Sequence, residues 1–284
     1  MASVALVTDS TADIPLEMRQ RLGITMVPLK VMFGNETYLD NVELEPEEFY
    51  RKLTSSKTLP TTSQPSPADF YDTFRKLIGE GRSVVSVHLS GAFSGTYQSA
   101  TIAKSMLEGE GDITVIDSKS ASYGYGLIVA AAAELAAQGA SAAEVAAEVH
   151  RLRRELRLYF LVDTLEYLQK GGRIGKAAAV VGSLLNIKPI LTIDDEGVIT
   201  PVDKVRGQKR AIARVAELLE ADLGSRPIDL YIALTPGYEE NAREMSTLLK
   251  DRFTVRSYLE TAIGPVIGTH AGPGTVGVFA IPAE

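Results

Sequence analysis

The sequence predicts an α/β protein of two domains: a parallel-sheet domain over residues 1–157 and a second α/β domain with a mixed sheet over residues 158–284. Three observations predict it. The length of 284 residues exceeds what one small core organises. Short apolar runs alternate with amphipathic stretches through the first domain, the rhythm of parallel strands joined by crossover helices. After residue 158 that rhythm takes in a hairpin, Ile190–Ile193 and Val198–Val205 around Asp194-Asp195-Glu196-Gly197, so the second sheet contains antiparallel strands.

Each element has its own signal. Val4–Val7 is an apolar run of strand length, and Asp13 before Pro15 reads as the cap of a helix carrying Leu16, Met18 and Leu22 and ended by Gly23. Ile24–Phe33 reads as one strand, turning at Gly34-Asn35, and Glu45–Leu53 as a helix with Phe49 and Leu53 four apart. Ser66-Pro67 with Asp69 is a capping box, after which Phe70, Phe74, Leu77 and Ile78 share one helix face. Ser83–Leu89 and Ile113–Asp117 are strands around a helix from Thr96 to Leu107; helices Tyr123–Gln138 and Ala142–Leu156 follow, the latter with Ser141 and Glu144 as a capping box. In the second half, Leu158–Asp163 is a strand, Leu165–Lys170 a short helix and Arg173–Ile187 an apolar helix. Gln208–Leu219 and Glu239–Arg252 read as helices, and Leu230–Leu234, Val255–Leu259 and Val276–Ile281 as strands.

Composition removes several classes of function. A net charge of −7 argues against nucleic acid, because phosphate binding needs an electropositive face. With no cysteine there is neither a disulfide nor a thiolate nucleophile, and three histidines (His88, His150, His270) make a multi-histidine metal site hard to build. The opening MASVALVTDST lacks the basic flank and apolar core of a secretion signal, and no apolar run reaches the roughly 18 residues of a membrane span, so a cytoplasmic protein is expected.

Ligand loops are expected after parallel strands. Thr8–Asp13, Ser90–Thr96 and Thr269–Thr275 qualify, together with the uncharged stretch Thr61-Thr62-Ser63-Gln64-Pro65-Ser66-Pro67 ahead of a helix. Ser94 stands before a helix start, where its hydroxyl and the Gly95 and Thr96 N–H groups face an anion or merely cap the helix. His270 is a loop histidine, open to either a fixture or a working role; His150 reads as solvated and His88 as structural. Nucleotide motifs fail. Gly272-Pro273-Gly274-Thr275-Val276-Gly277 has dinucleotide-fingerprint spacing but leads into a strand, and Gly175-Lys176 lacks the earlier glycine of a phosphate loop, since residue 170 is lysine. Gly91-Ala92-Phe93-Ser94-Gly95 has the wrong spacing for a nucleophile elbow.

Taken together and in order, six stretches resemble the DegV family of bacterial fatty-acid-binding proteins. They are Thr8-Asp9-Ser10-Thr11-Ala12-Asp13, Thr62-Ser63-Gln64-Pro65-Ser66, Leu89-Ser90 with Ser94-Gly95-Thr96-Tyr97, Gly171-Gly172-Arg173-Ile174, Lys204-Val205-Arg206-Gly207 and Thr269 to Thr275. The resemblance implies a Rossmann-like first domain and a long-chain fatty acid in a tunnel between the two domains. It implies that Thr62, Ser94 with the Gly95 N–H, and His270 surround the carboxylate. It further implies that an ATP-dependent fatty acid kinase converts the bound acid to an acyl-phosphate, which the carrier delivers to acyltransferases for phospholipid synthesis, with transient membrane contact. On this reading the protein makes no bond itself and needs no cofactor. Arg173, Lys204 and Arg206 fall in family motifs and are expected either at partner or phosphate contacts or as solvated charge. Gly91 and Phe93 depart from the family's usual serine and aliphatic residue, and Phe93 is expected to narrow the tunnel near the head group.

The physics suits such a ligand. Burying about 14 methylenes at about 0.8 kcal/mol each gives about 11 kcal/mol before the costs of association. The carboxylate must meanwhile be solvated by the protein; two hydroxyls, a backbone N–H and one histidine do this without the permanent charge of an arginine. Two rivals stand beside this reading: an esterase or acyltransferase using Ser94, His270 and Asp9, and a binder of phosphorylated small molecules at the helix start beyond Ser94.

Overall fold

The computed structural model describes residues 3–182 and 186–283. The chain opens with β1 (Val4–Asp9), a 3-10 turn at Ser10–Ala12 and α1 (Leu16–Arg21). Short strands β2 (Thr25–Val27), β3 (Lys30–Phe33) and β4 (Glu36–Leu39) lead into α2 (Pro46–Ser55), β5 (Thr61–Ser63) and α3 (Pro67–Gly79). Then come β6 (Ser83–His88), α4 (Thr96–Met106), β7 (Ile113–Asp117), α5 (Tyr123–Ala137) and α6 (Ala142–Glu155). The first sheet has the order β2-β1-β6-β7, and all three of its pairings are parallel. Both expected capping boxes are present, at Ser66/Asp69 and Ser141/Glu144.

The second half runs β8 (Arg157–Leu161), α7 (Glu166–Lys170), a 3-10 segment Gly175–Val180, β9 (Ile187–Ile193) and β10 (Ile199–Arg206). It continues with α8 (Gln208–Leu223), β11 (Ile228–Leu234), α9 (Glu239–Arg252), β12 (Val255–Ala262), α10 (Pro265–Ala271) and β13 (Val276–Pro282). Its six strands form a mixed sheet of order β10-β9-β8-β13-β11-β12, with β11 and β12 parallel and β9–β10 the expected hairpin. One face of this sheet, including Tyr159, Leu161, Ile232 and Val278, packs on Ile212 and Val215 of α8 and Met245 of α9. The opposite face carries Leu158, Phe279 and Ala233 into a core shared with β1, β6 and α5 of the first half. The two halves are thus joined through apolar packing.

Five expectations need correction. Asp13 does not cap α1, which starts after Pro15 without a side-chain cap; it closes the 3-10 turn Ser10–Ala12 instead, buried in left-handed backbone. Ile24–Phe33 is two strands in two sheets, because Pro28 interrupts it and supplies no N–H. The stretch at Thr61–Ser63 is a strand of a third, small sheet ordered β4-β3-β5, with Thr62 opposite Val31. Arg173–Ile187 is not one helix; residues 183–185 lie outside the described residues, and the described part holds only the 3-10 segment between Gly175 and Gly182, both in left-handed backbone. Residues Thr269–Ala271 belong to α10, which begins at Pro265 and ends against Gly272.

Candidate functional site

The small sheet explains how a run of neutral polar residues becomes a wall. Side chains alternate along β5, so Thr62 is half-buried while Thr61 and Ser63 are exposed. Its partner Val31 is sealed among Phe49, Leu44 and Val266, the last on α10. That packing sets α10 beside β5, and the Thr62 hydroxyl meets His270 Nε2 at 2.8 Å. His270 Nδ1 is buried with no hydrogen-bond partner among the described residues. The Gly171 backbone lies so close to this nitrogen that a Cβ there would collide with it. Burial, and after it the Arg173 charge, lowers the His270 ring to about 4, so it is neutral near pH 7.

These groups sit at the polar end of a cavity of about 280 Å³. Thr62, Ser63, Gln64, Ser94, Arg173 and His270 supply that end. The floor is the inner face of the mixed sheet: Leu158 and Phe160 of β8, Gly277 and Phe279 of β13 and Ala233 of β11. Register puts them side by side, Phe279 opposite Leu158, and Gly277 opposite both Phe160 and Ala233. The two smallest residues are therefore adjacent and leave the room that the larger ones enclose. Phe93 lines the same space.

Of the residues singled out from sequence, Thr62, Ser94 and His270 converge on this cavity. Ser94 lies 2.9 Å from the Thr96 hydroxyl and accepts the Thr96 N–H at 3.3 Å, so it both steadies the start of α4 and faces the cavity. Gly95 is a correction: its N–H donates to Gln64 Oε1 at 3.1 Å, and it is absent from the cavity wall. Arg173 is a second correction, because it brings into the wall the arginine charge that a purely neutral cradle does without. Its guanidinium donates to the carbonyl oxygens of Phe93 at 3.0 Å and Gly171 at 2.7 Å, neutral partners that leave its charge in place. Lys204 and Arg206 are exposed on β10, five and seven residues beyond the cavity-lining Ile199. Neither lines this cavity, and Lys204 borders a separate cleft with Asp163, Glu166 and Gln169.

The hydrolytic triad is not assembled. Ser94 pairs with Thr96, His270 with Thr62, and Asp9 lies buried elsewhere. Asp9 Oδ2 meets His88 Nδ1 at 3.0 Å, while His88 Nε2 meets Ser86 at 2.7 Å. That Ser-His-Asp line is fully enclosed, and none of its members borders the cavity. The phosphate rival is weakened too, since the Gly95 and Thr96 N–H groups are already engaged.

A family model described as an uncharacterised protein of the DegV family matches residues 3–283. The chain belongs to the DegV family. It is 39% identical over 278 residues to Protein DegV of Bacillus subtilis, covering 97% of this chain and 98% of that one. A fatty-acid-binding DegV family protein from Thermus thermophilus superposes with a TM-score of 0.92 at 40% identity, over 99% of this chain and 100% of the other. DegV, a fatty acid binding protein from Bacillus subtilis, does so with a TM-score of 0.90 at 38% identity over the whole of both chains.

Sequence reasoning missed the floor and the place of Arg173. The floor had a signal in the period-two spacing of Leu158 with Phe160 and Gly277 with Phe279. Arg173 had none beyond its motif, because what holds it at the cavity is its bonding to the carbonyls of Leu168, Gly171 and the distant Phe93.

Proposed function

We propose that this DegV family member holds a long-chain fatty acid between its two domains, residues 1–157 and 158–284, with the carboxylate among Thr62, Ser94 and His270. One observation carries the reading: a cavity floored by an apolar sheet face has hydroxyls of Thr62 and Ser94, a neutral imidazole and a cation together in its wall. Methylene burial supplies the affinity and the polar end fixes the direction of entry. The Thr62 and Ser94 hydroxyls donate to the carboxylate, and Arg173 offsets its charge from the wall. His270 completes the cluster by holding Thr62 in place.

The same reading has a separate ATP-dependent kinase phosphorylate the carboxylate, the acyl-phosphate then passing to an acyltransferase at a membrane surface in the cytoplasm. Lys204 and Arg206, exposed and outside the cavity wall, serve partner docking in this scheme. Among the described residues no helix is long and apolar enough to cross a membrane, so membrane contact is peripheral here. The test is titration of delipidated protein with palmitate, a hexose phosphate and ATP in separate calorimetric runs. Binding of palmitate alone supports the proposal. Tight binding of a phosphorylated ligand, with none of palmitate, overturns it.

A further inference from the structure

The amino end of α10 is held from below by two buried carboxylates that play no part in the cavity wall. Asp13 Oδ1 accepts the Gly264 N–H at 3.1 Å, and Asp40 Oδ1 accepts the Val266 N–H at 3.3 Å. Asp13 Oδ2 accepts the Ser122 hydroxyl at 2.5 Å, and its carbonyl accepts from Thr261 at 2.9 Å. Asp40 Oδ2 is buried with no hydrogen-bond partner among the described residues. Ser122, Val266 and His270 all border the cavity, so one knot ties the start of α5 to α10 beneath it.

The backbone is strained to build this knot. Of five non-glycine residues at positive φ among the described residues, Asp13, Asn41 and Ser122 lie in it. Strain of this kind costs about 1–3 kcal/mol per residue and persists where the surroundings impose it. Gly264 packs so tightly that a Cβ would meet Asp13 Oδ1 and Asn41 Nδ2.

We propose that Asp13 and Asp40 are positioning residues of the acyl site: by accepting the Gly264 and Val266 N–H groups they fix the amino end of α10, and with it the place of His270 on the cavity wall. The inference rests on the acyl reading of the cavity and deepens it. Two carboxylates are a costly choice for this task, and the cost has a consequence. Burial first, then the nearby Asp9 and Glu45 charges, push Asp40 up to about 7, against the Ser10 hydroxyl and the Val266 N–H. Burial also holds Asp13 well above the usual carboxylate range, despite the Ser122 hydroxyl. The groups facing the pair are Asp9 on β1, Ser10 on the 3-10 turn, Glu45 and Tyr50 at α2, Ser122 and Tyr125 at α5, and the Gly264 and Val266 N–H groups. An ionised carboxylate accepts an N–H more strongly than a neutral one, so the grip on α10 firms as pH rises through neutrality.

The experiment uses the delipidated full chain, palmitate calorimetry and NMR of the histidine rings, at about pH 6 and about pH 8. Wild type is expected to bind palmitate about three- to tenfold more tightly at the higher pH. Asp40→Asn is expected to match the weaker wild-type value at both pH values. The His270 ring signals of ligand-free wild type should move with an inflection near 7 that Asp40→Asn lacks, and Asp13→Asn should displace them at either pH. An Asp40→Asn profile that follows wild type overturns the inference. So does the absence of an inflection near 7 in wild-type His270, a readout that needs no variant. Failure of wild type to take up palmitate at either pH removes the acyl reading, and the ring titration then still decides whether the carboxylates govern His270.

Discussion

His88 is fully enclosed and His270 half-buried; both are hydrogen-bonded to a hydroxyl, and they are built in opposite ways. His88 spends both ring nitrogens, on Asp9 and on Ser86. Asp9 in turn collects donors from Thr11, Tyr125 and the Leu89 N–H. Burial alone would raise Asp9, yet His88, Thr11 and Tyr125 together hold it below the usual carboxylate range. Such a network is closed: each member is satisfied inside the protein. His270 spends one nitrogen on Thr62, has no partner among the described residues for the other, and is kept neutral by burial first and the Arg173 charge second. A buried polar group left partly unsatisfied beside a cavity costs stability, and the acyl reading gives that cost a purpose.

The comparison breaks most visibly at His88. Replacing it with alanine strands the Asp9 carboxylate, and the expected loss is about 3–5 kcal/mol of stability by urea denaturation. The same change at His270 should cost far less stability and should weaken palmitate binding instead. Equal destabilisation by both would erase the distinction.

Thr62→Ala and Ser94→Ala each remove a hydroxyl from the carboxylate end. Each should weaken palmitate binding about tenfold or more, from about 1.5–3 kcal/mol for a hydrogen bond to a charged group, as read by calorimetry. Ala233→Leu fills the gap beside Gly277 in the floor. It should discriminate by length, with palmitate lost ahead of octanoate in competition assays. Uniform loss of both would place the acyl chain elsewhere.

The smallest effect is in pH. The His270 ring lies at about 4 in the fold against 6.5 ordinarily. The unfolded chain therefore binds the proton first, and the wild-type fold loses stability as pH falls from about 6.5 through 4. His270→Gln removes that loss, so relative to wild type it should gain up to a few kcal/mol toward acid. Asp40 has the opposite sign: raised to about 7, it lowers the fold's stability as pH rises from about 4 to 7. Asp40→Asn should therefore gain toward neutral pH. Chemical denaturation at stepped pH separates the two.

Much of the fold was legible because local rules wrote it. The capping boxes, the β9–β10 hairpin and strand β7 follow from side chains a few residues apart. Strand β5, three residues long, and α10, seven, carry too little pattern to be seen without the partners that hold them. The site was legible only through the family resemblance, since Thr62 and His270 are 208 residues apart and no local rule joins them. That resemblance singled out Thr62, Ser94 and His270, and the three line one cavity. It did not foresee that Gln64 takes the Gly95 N–H, or that Arg173 turns inward, because both depend on how loops pack.

The most direct test of the central claim is mass spectrometry of an organic extract of the purified protein, beside a Thr62→Ala/Ser94→Ala double variant. The account predicts near-stoichiometric long-chain fatty acid from wild type and far less from the folded variant. A folded wild type that carries no fatty acid, and takes none up when it is offered, would contradict it.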